Sequence, residues 1–249
     1  LLEDFVGQKL TGDSQSASAK SARLREKSED IGDFSKFALY EQIQMQAKVA
    51  DGLGLRSPFF HCHDGLATDE TSIGGRTLIN FSSYNYLGLN ADPRVHEAAK
   101  QAIDRYGISA SASRVVSGER PIHGELERQI AALYGVERAL VFVSGYSTNV
   151  AVLGTLFGPS DLIISDRLAH NSILQGGKLS GATRRQFEHN SMQGLVGILE
   201  AERDKFDKAV IVTEGLFSMD GDVCPLPELV DIKKRFGCLL MVDEAHSLG

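Results

Sequence analysis

The chain of 249 residues has few cysteines, no long apolar run and no excess of basic side chains. Its three cysteines, Cys62, Cys224 and Cys238, are far apart in sequence, which argues against a disulfide framework and a closely spaced metal pair and favours a reducing, cytoplasmic location. No apolar run reaches the length of a membrane span. A net charge of −7, from 26 basic and 33 acidic residues, argues against a general surface for nucleic acid or anionic membranes.

Composition divides the chain into three parts. Residues 1–32 are rich in Ser, Ala and charged side chains, which is typical of a linker or of the end of an upstream module. Residues 33–90 are predicted to hold an amphipathic helix and short strands around a turn at Gly74–Gly75. Residues 91–249 alternate helical periodicity with apolar strands and are predicted to be the first part of a large domain. Its strands are predicted at 139–143, 162–165, 209–213 and 238–242.

Strands that alternate with helices imply an α/β fold with a mostly parallel sheet flanked by helices. Both ends of the sequence suggest a longer polypeptide. The first residue is Leu1 rather than Met, and the chain stops directly after the strand 238–242 without a closing helix. We therefore expect the chain to be a fragment that lacks the C-terminal part of its domain.

Polar side chains follow four of the predicted strands at their carboxyl ends, where parallel sheets place ligand-binding loops. The first of these loops opens a helix, whose free backbone N–H groups suit a phosphate. Each loop by itself has an ordinary structural interpretation, as the start of a helix or as a histidine at the edge of the core. Packing does not explain why all four meet at the same edge of one sheet. The loops carry Gly145 and Tyr146, then His170, then Ser218, and last Asp243 with His246.

This set of groups suits pyridoxal phosphate. The cofactor is an electron sink only while its ring nitrogen is protonated, and a carboxylate such as Asp243 keeps the proton there. A helix N-terminus holds the phosphate, a second donor sets the phenolic oxygen, and a flat side chain fixes the plane of the ring. The sequence therefore predicts a pyridoxal-phosphate site at this edge of the sheet.

With these residues the sequence resembles the α-oxoamine synthases, which are fold-type-I pyridoxal-phosphate enzymes. The resemblance covers about residues 75–249, in order and with natural spacing. It implies the fold-type-I transferase architecture and the activity of an acyltransferase. The matching segments are Asn80–Leu89, Gly118–Glu127, Phe142–Asn149, Asp166–Ser172, Thr213–Asp222 and Met241–His246.

The resemblance implies a role for each loop. The helix start at Gly145 meets the cofactor phosphate, His170 stacks on the pyridine ring, and Asp243 pairs with the ring nitrogen. His246 and Ser218 form hydrogen bonds near the phenolic oxygen. The residues implied to bind the cofactor are Gly145, Tyr146, His170, Ser218, Asp243 and His246, and those implied to act in catalysis are His170, Asp243 and His246.

The implied reaction joins an amino acid to an acyl thioester and, with decarboxylation, yields an α-aminoketone. Asn85 is implied to reach toward the substrate at the interface of a homodimer. The acyl donor is either acyl-CoA or an acyl carrier protein. The linker composition at 11–30 hints at an upstream carrier module.

Several alternatives stay open at this point. In the family, the Schiff-base lysine lies beyond the position of the segment Asp243–His246. Lys178 of this chain is interpreted as a surface charge and not as that lysine. The chain is therefore either a fragment or a lysine-less, non-catalytic partner subunit of a synthase complex. An aminotransferase or decarboxylase of the same fold is disfavoured by the segments around Asn85 and Phe217–Asp222. A DEAH-box nucleic-acid ATPase requires a Gly-x-x-x-x-Gly-Lys-Ser/Thr loop, which this sequence lacks.

Overall fold

The structure is a computed structural model that describes residues 32–55 and 59–248. The chain forms two compact units. The smaller comprises residues up to Gly65 together with Thr71–Leu78, and the larger comprises Leu66–Glu70 and the residues from Ile79 onward. The predicted linker over 1–32 lies outside the described residues except for its last residue, so its character stays a prediction.

The N-terminal segment contains one long helix and a two-stranded sheet. Helix α1 spans Ala38–Gly52, and the sheet pairs β1, Glu70–Ile73, with β2, Arg76–Ile79. The turn between the two strands is Gly74–Gly75, where φ is 58° and 76°. Glycine adopts these left-handed conformations without a steric penalty, as a tight hairpin requires. The predicted helix and the predicted glycine turn are both confirmed, whereas no side chain of the helix is buried within the described residues, so an apolar face that packs against the protein is not observed.

The larger unit continues with six helices and four strands. Its first helix begins as its sequence predicts, because the Asp92 carboxylate accepts the N–H of Arg94 at 2.8 Å and Pro93 occupies the first turn. The helices are α2 (Pro93–Tyr106), α3 (Pro121–Tyr134), α4 (Gly145–Leu156), α5 (Asn171–Ser180), α6 (Met192–Glu202) and α7 (Leu226–Phe236). The strands are β3 (Leu162–Asp166), β4 (Thr183–Phe187), β5 (Ala209–Glu214) and β6 (Leu239–Asp243).

The four strands form one parallel sheet in the order β4-β3-β5-β6. The two central strands, β3 and β5, are buried along their whole length, as continuous apolar runs in a covered sheet require. The register pairs Asp166 with Phe187 and Glu214 with Asp243. The carboxyl ends of the strands therefore meet at one edge of the sheet.

Helices cover both faces of this sheet. Leu162 of β3 packs in a cluster with Leu195 of α6 and Leu229 of α7, whereas its neighbour Ile163 packs with Ile173 of α5 on the other face. The helix that follows β3 and the helix that follows β5 thus lie on opposite faces. Where the helices after two neighbouring parallel strands lie on opposite faces, as after β3 and β5, an open sheet has a crevice at the carboxyl ends of these strands. Ligands bind in this crevice in this class of fold.

The prediction of a strand over 139–143 is wrong. The backbone of Val141 bonds to side chains instead, since its N–H donates to Glu127 Oε1 at 3.0 Å and Arg114 Nη1 donates to its carbonyl at 3.2 Å. Leu140 is 67% exposed and Val143 is 93% exposed. An apolar run becomes a strand only where a neighbouring strand completes its hydrogen bonds, and residues 32–55 and 59–248 provide no such neighbour here.

The sequence of β4, Thr-Arg-Arg-Gln-Phe, has no apolar alternation and so does not by itself predict a strand. It pairs on one side only, with β3, and charged side chains are common on such edges because they oppose pairing with other chains. No helix within the described ranges combines the length and the apolarity that crossing a membrane requires.

Candidate functional site

The N-terminus of α4 forms one wall of the candidate site. Ser144 caps the helix, since its Oγ accepts the N–H of Ser147 at 3.1 Å and its carbonyl accepts the hydroxyl of Thr148 at 2.9 Å. The N–H groups of Gly145 and Tyr146, in the first turn, have no intrahelical acceptor. A Cβ added to Gly145 would meet no atom within 4 Å apart from its chain neighbours, so the space beside this residue is open. This arrangement suits an anionic group.

His170 lies beside this helix terminus, directly before α5. Its backbone N–H donates to Glu214 Oε1 at 2.7 Å, which joins the loop after β3 to the end of β5. Its Nδ1 lies 2.7 Å from Ser172 Oγ and 3.2 Å from the Ser172 N–H, so the imidazole caps α5. The residue is exposed, and its ring stands edge-on to that of Tyr146 with centroids 6.4 Å apart.

Glu214 is buried at the end of β5, beside Asp243 of β6 in the register of the sheet. Burial raises the pKa of the Glu214 carboxyl above its usual value, and the neighbouring Asp243 raises that pKa further, although the hydrogen bond from His170 opposes both effects. This end of the sheet therefore holds two acidic side chains next to each other, one of which is buried.

Asp243 has both carboxylate oxygens in hydrogen bonds. Oδ2 accepts from Asn149 Nδ2 at 2.7 Å, and Oδ1 accepts from the Ala245 N–H at 3.0 Å. Asn149, which is buried on α4, also donates to Ser172 Oγ at 2.9 Å. A continuous line of hydrogen bonds therefore runs from Asp243 through Asn149 and Ser172 to His170.

His246 follows β6 and is held by aromatic residues of the segment Asn80–Leu89. Its Nδ1 lies 2.6 Å from the hydroxyl of Tyr86. The rings of Tyr84 and Tyr86 contact the imidazole edge-on, with centroids 5.7 Å and 5.9 Å away. These contacts bring a segment about 160 residues away in sequence to the carboxyl edge of the sheet.

Asn85 and Ser218 have different surroundings from the other predicted site residues. The Asn85 amide bonds locally, since Nδ2 donates to the Ala67 carbonyl at 3.0 Å and Oδ1 accepts the Asn90 N–H at 3.0 Å. Ser218 is exposed in the loop after β5. Neither side chain is hydrogen-bonded to the other predicted site residues in the part of the chain that the structure describes.

The loop of Ser218, residues 215–222, is anchored by His189. The imidazole bridges two carboxylates, with Nδ1 at 3.0 Å from Asp166 Oδ1 and Nε2 at 2.7 Å from Asp222 Oδ2, and the buried Phe217 packs edge-on against it at 4.5 Å. Partial burial lowers the pKa of His189, but the bonds to Asp166 and Asp222 outweigh burial, so the pKa is raised. Both ring nitrogens act as donors, which is the state of an imidazolium.

Sequence reasoning assigned no role to Asn149, Ser172, Tyr86 or His189. Their partners are distant along the chain, as with Asn149 and Asp243, which are 94 residues apart. One signal was available for Asn149, because it is a polar residue at the start of an apolar helical run and a buried amide requires hydrogen-bond partners.

The donors at this edge fit pyridoxal phosphate in their chemistry. The N-terminus of α4 suits the phosphate, the exposed His170 imidazole suits a ring face, and the Asp243 carboxylate suits a protonated ring nitrogen. Asp243 and His170 belong to one hydrogen-bonded network, which passes through Asn149 of the same helix α4. Within residues 32–55 and 59–248, no group of three or more His, Cys, Asp or Glu side chains is arranged to hold a metal ion.

Comparison with known proteins gives the same fold and family. The model of the family "Aminotransferase class I and II" matches residues 76–249. A putative 8-amino-7-oxononanoate synthase from Trichormus variabilis is 44% identical over 185 residues, which cover 74% of this chain and 48% of that protein. The chain thus spans about half the length of the curated relatives that it matches.

Solved structures extend the match to the tertiary level. Serine palmitoyltransferase of Sphingomonas wittichii superposes with a TM-score of 0.82 at 34% identity, over 87% of this chain and 54% of that one. A further serine palmitoyltransferase structure, which contains pyridoxal phosphate, superposes with a TM-score of 0.77 at 33% identity, over 87% of this chain and 54% of that one.

These matches confirm the fold-type-I architecture and overturn the alternative of a DEAH-box nucleic-acid ATPase, because the Asp243–His246 segment lies in a sheet of a different protein class. This chain belongs to the aminotransferase class I and II family and is homologous to the α-oxoamine synthases, among them 8-amino-7-oxononanoate synthase and serine palmitoyltransferase.

Proposed function

We propose that this chain forms the cofactor-binding part of a pyridoxal-phosphate-dependent α-oxoamine synthase. The enzyme condenses an amino acid with an acyl thioester and releases carbon dioxide to give an α-aminoketone. The observation that carries the proposal is the line of hydrogen bonds from Asp243 to His170, which passes through Asn149 of the helix whose N-terminus holds Gly145 and Tyr146. When bound, pyridoxal phosphate supplies the electron sink that stabilises a carbanion next to the amino nitrogen.

The residues of this chain are proposed to bind and orient the cofactor and to hold a proton at its ring nitrogen. The N–H groups of Gly145 and Tyr146 bind the phosphate, and the imidazole of His170 covers one face of the ring. Asp243 holds a proton at the ring nitrogen, because a negative charge there favours the protonated form. Its fixed carboxylate makes that contact without reorganisation, since both oxygens already have N–H donors.

His246 and Ser218 are proposed to donate or accept hydrogen bonds near the phenolic oxygen. Tyr86 occupies Nδ1 of His246, so Nε2 is the nitrogen left for that contact. Asn85 is proposed to position the substrate. Its amide is held by backbone groups in the absence of substrate, so this role requires the turn around it to rearrange.

The Schiff-base lysine is proposed to lie outside the 249 residues, and the working enzyme is proposed to be a cytoplasmic homodimer. Acyl-CoA and an acyl carrier protein are both compatible donors, the latter with an upstream carrier module. Light scattering of active protein tests the dimer, and full activity at the mass of a single chain contradicts it.

Asp243→Asn tests the function in the protein that carries this sequence at its natural length. A neutral amide keeps the shape but does not favour a protonated ring nitrogen. We expect cofactor binding to persist and the rate of aminoketone formation to fall about 100-fold or more. Asp231→Asn, an exposed aspartate on α7, is the matched control and retains full activity.

Activity of Asp243→Asn within a few-fold of the wild type refutes the assignment of Asp243. Failure of the wild-type protein to bind pyridoxal phosphate refutes the proposed function. Binding of the cofactor without product formation from any amino acid and thioester pair favours the lysine-less, non-catalytic partner subunit.

A further inference from the structure

We infer that Asn149 and Ser172 are positioning residues that set the tautomer of His170 and the orientation of Asp243 as one unit. The hydrogen bonds are observed in the structure, whereas their expected effect on cofactor binding rests on the proposed function. Asn149 is 6% exposed and Ser172 is fully buried, so solvent does not compete for these bonds.

The side-chain amide of Asn149 can form its hydrogen bonds to Asp243 and Ser172 in only one of its two orientations. Nδ2 carries two hydrogens, and they point at Asp243 Oδ2, 2.7 Å away, and at Ser172 Oγ, 2.9 Å away. A flipped amide would place its carbonyl oxygen against the Asp243 carboxylate. The carboxylate therefore determines the amide orientation, and the amide in turn fixes the rotation of the carboxylate.

The hydroxyl of Ser172 passes this orientation on to His170. Because Ser172 Oγ accepts from Asn149, its single hydrogen is free to donate to His170 Nδ1 at 2.7 Å. The backbone N–H of Ser172 donates to the same nitrogen at 3.2 Å. With two donors aimed at it, Nδ1 holds a lone pair, so the neutral imidazole carries its hydrogen on Nε2.

Close packing of α4 against α5 keeps these groups in place. A Cβ at Gly176 would lie 2.8 Å from the Asn149 carbonyl oxygen and 3.0 Å from Leu153 Cβ, so the two helix backbones approach closely only because this residue is glycine. Asn149 is also one helical turn beyond Gly145. A single helix thus supplies the proposed phosphate contact and the amide that aligns both ring contacts.

The tautomer is measured directly by 15N NMR of the cofactor-free protein labelled at histidine, with His170→Gln used to identify the signals. We expect the wild type to show His170 with a bare, hydrogen-bonded Nδ1 and a protonated Nε2. Asn149→Ala and Ser172→Ala both shift the Nδ1 signal toward that of an unbonded imidazole. The matched control Asn171→Ala changes an exposed neighbouring asparagine and leaves the His170 signals in place.

Circular dichroism shows whether each variant folds, and Ser172→Ala, which removes one hydroxyl group, keeps the test valid if Asn149→Ala does not fold. Protonation of Nδ1 in the wild type overturns the inference. So do unchanged His170 signals in a folded Ser172→Ala protein.

The consequence for the cofactor is tested by equilibrium dialysis with pyridoxal phosphate. We expect Asn149→Ala to weaken binding about tenfold, the effect of one lost hydrogen bond to a charged group, and Asn171→Ala to leave binding unchanged. If the wild type does not bind, the proposed function fails while the tautomer result stands. If the wild type and Asn149→Ala bind equally, the positioning role fails while the proposed function stands.

Discussion

His189 is expected to stabilise the fold as a cation, so the free energy of unfolding should depend on its charge. The raised pKa of His189 means that the folded state holds its proton more tightly than the unfolded state does. The stabilisation is therefore fully present below the usual histidine pKa, about 6.5, and is lost as the pH rises through the raised value of the folded state.

The magnitude follows from the two carboxylates that His189 bridges. The Asp166 side chain is fully buried, and without His189 its Oδ1 keeps only the Leu168 N–H at 2.8 Å. A hydrogen bond to a charged group contributes about 1.5–3 kcal/mol. The Asp222 side chain is 43% exposed, so solvent screens that bond and it adds little. We expect His189→Leu, which removes both donors at similar volume, to lower the free energy of unfolding by about 2–3 kcal/mol at pH 6.

Urea denaturation of the wild type and His189→Leu at about pH 6 and pH 9 measures this contribution. The difference between the two proteins is expected to be smaller at the higher pH, because the stabilisation by the His189 cation declines as the pH rises. His61→Gln changes an exposed histidine of the smaller unit and serves as the control. An equal difference at both pH values, or a difference below about 0.5 kcal/mol at pH 6, refutes the assignment of His189 as a stabilising cation.

Two further predictions concern packing and acid stability. Gly176→Ala places a Cβ 2.8 Å from the Asn149 carbonyl oxygen and should lower the free energy of unfolding by about 1–3 kcal/mol. The control Gly197→Ala lies exposed on α6, with no atom within 4 Å of the added Cβ, and should raise the free energy of unfolding by about 0.5–1 kcal/mol. Equal melting temperatures of the two variants contradict this prediction. The Arg114 guanidinium, with the Val141 N–H, holds the pKa of Glu127 at about 2, so its stabilisation exists above the usual glutamate pKa and is lost as the pH falls toward 2. Arg114→Gln should therefore move acid unfolding, followed by circular dichroism, to higher pH, and identical acid curves disprove it.

Local sequence was sufficient for several elements of this protein. The apolar runs of β3, β5 and β6 predicted parallel strands, of which β3 and β5 are buried and β6 is only partly buried. Asp92 with Pro93 predicted the start of α2, because a helix cap depends on a few adjacent residues. The polar residues that follow those strands marked the functional edge of the sheet for the same reason, since parallel strands align their carboxyl ends.

Tertiary structure alone decided which segments pair as strands in the sheet. The segment 139–143 is as apolar as β3, yet it forms no strand, because pairing depends on a neighbour and not on its own residues. The polar β4 becomes a strand because β3 offers it a free edge.

The hydrogen-bonded link between Asp243 and His170 also depends on tertiary structure. It passes through Asn149 and Ser172, which are separated along the chain and meet only after α4 packs on α5. Hydrogen bonds between buried side chains depend on distances of a few tenths of an ångström, and such distances are set by the packing of whole helices rather than by the order of residues in the chain.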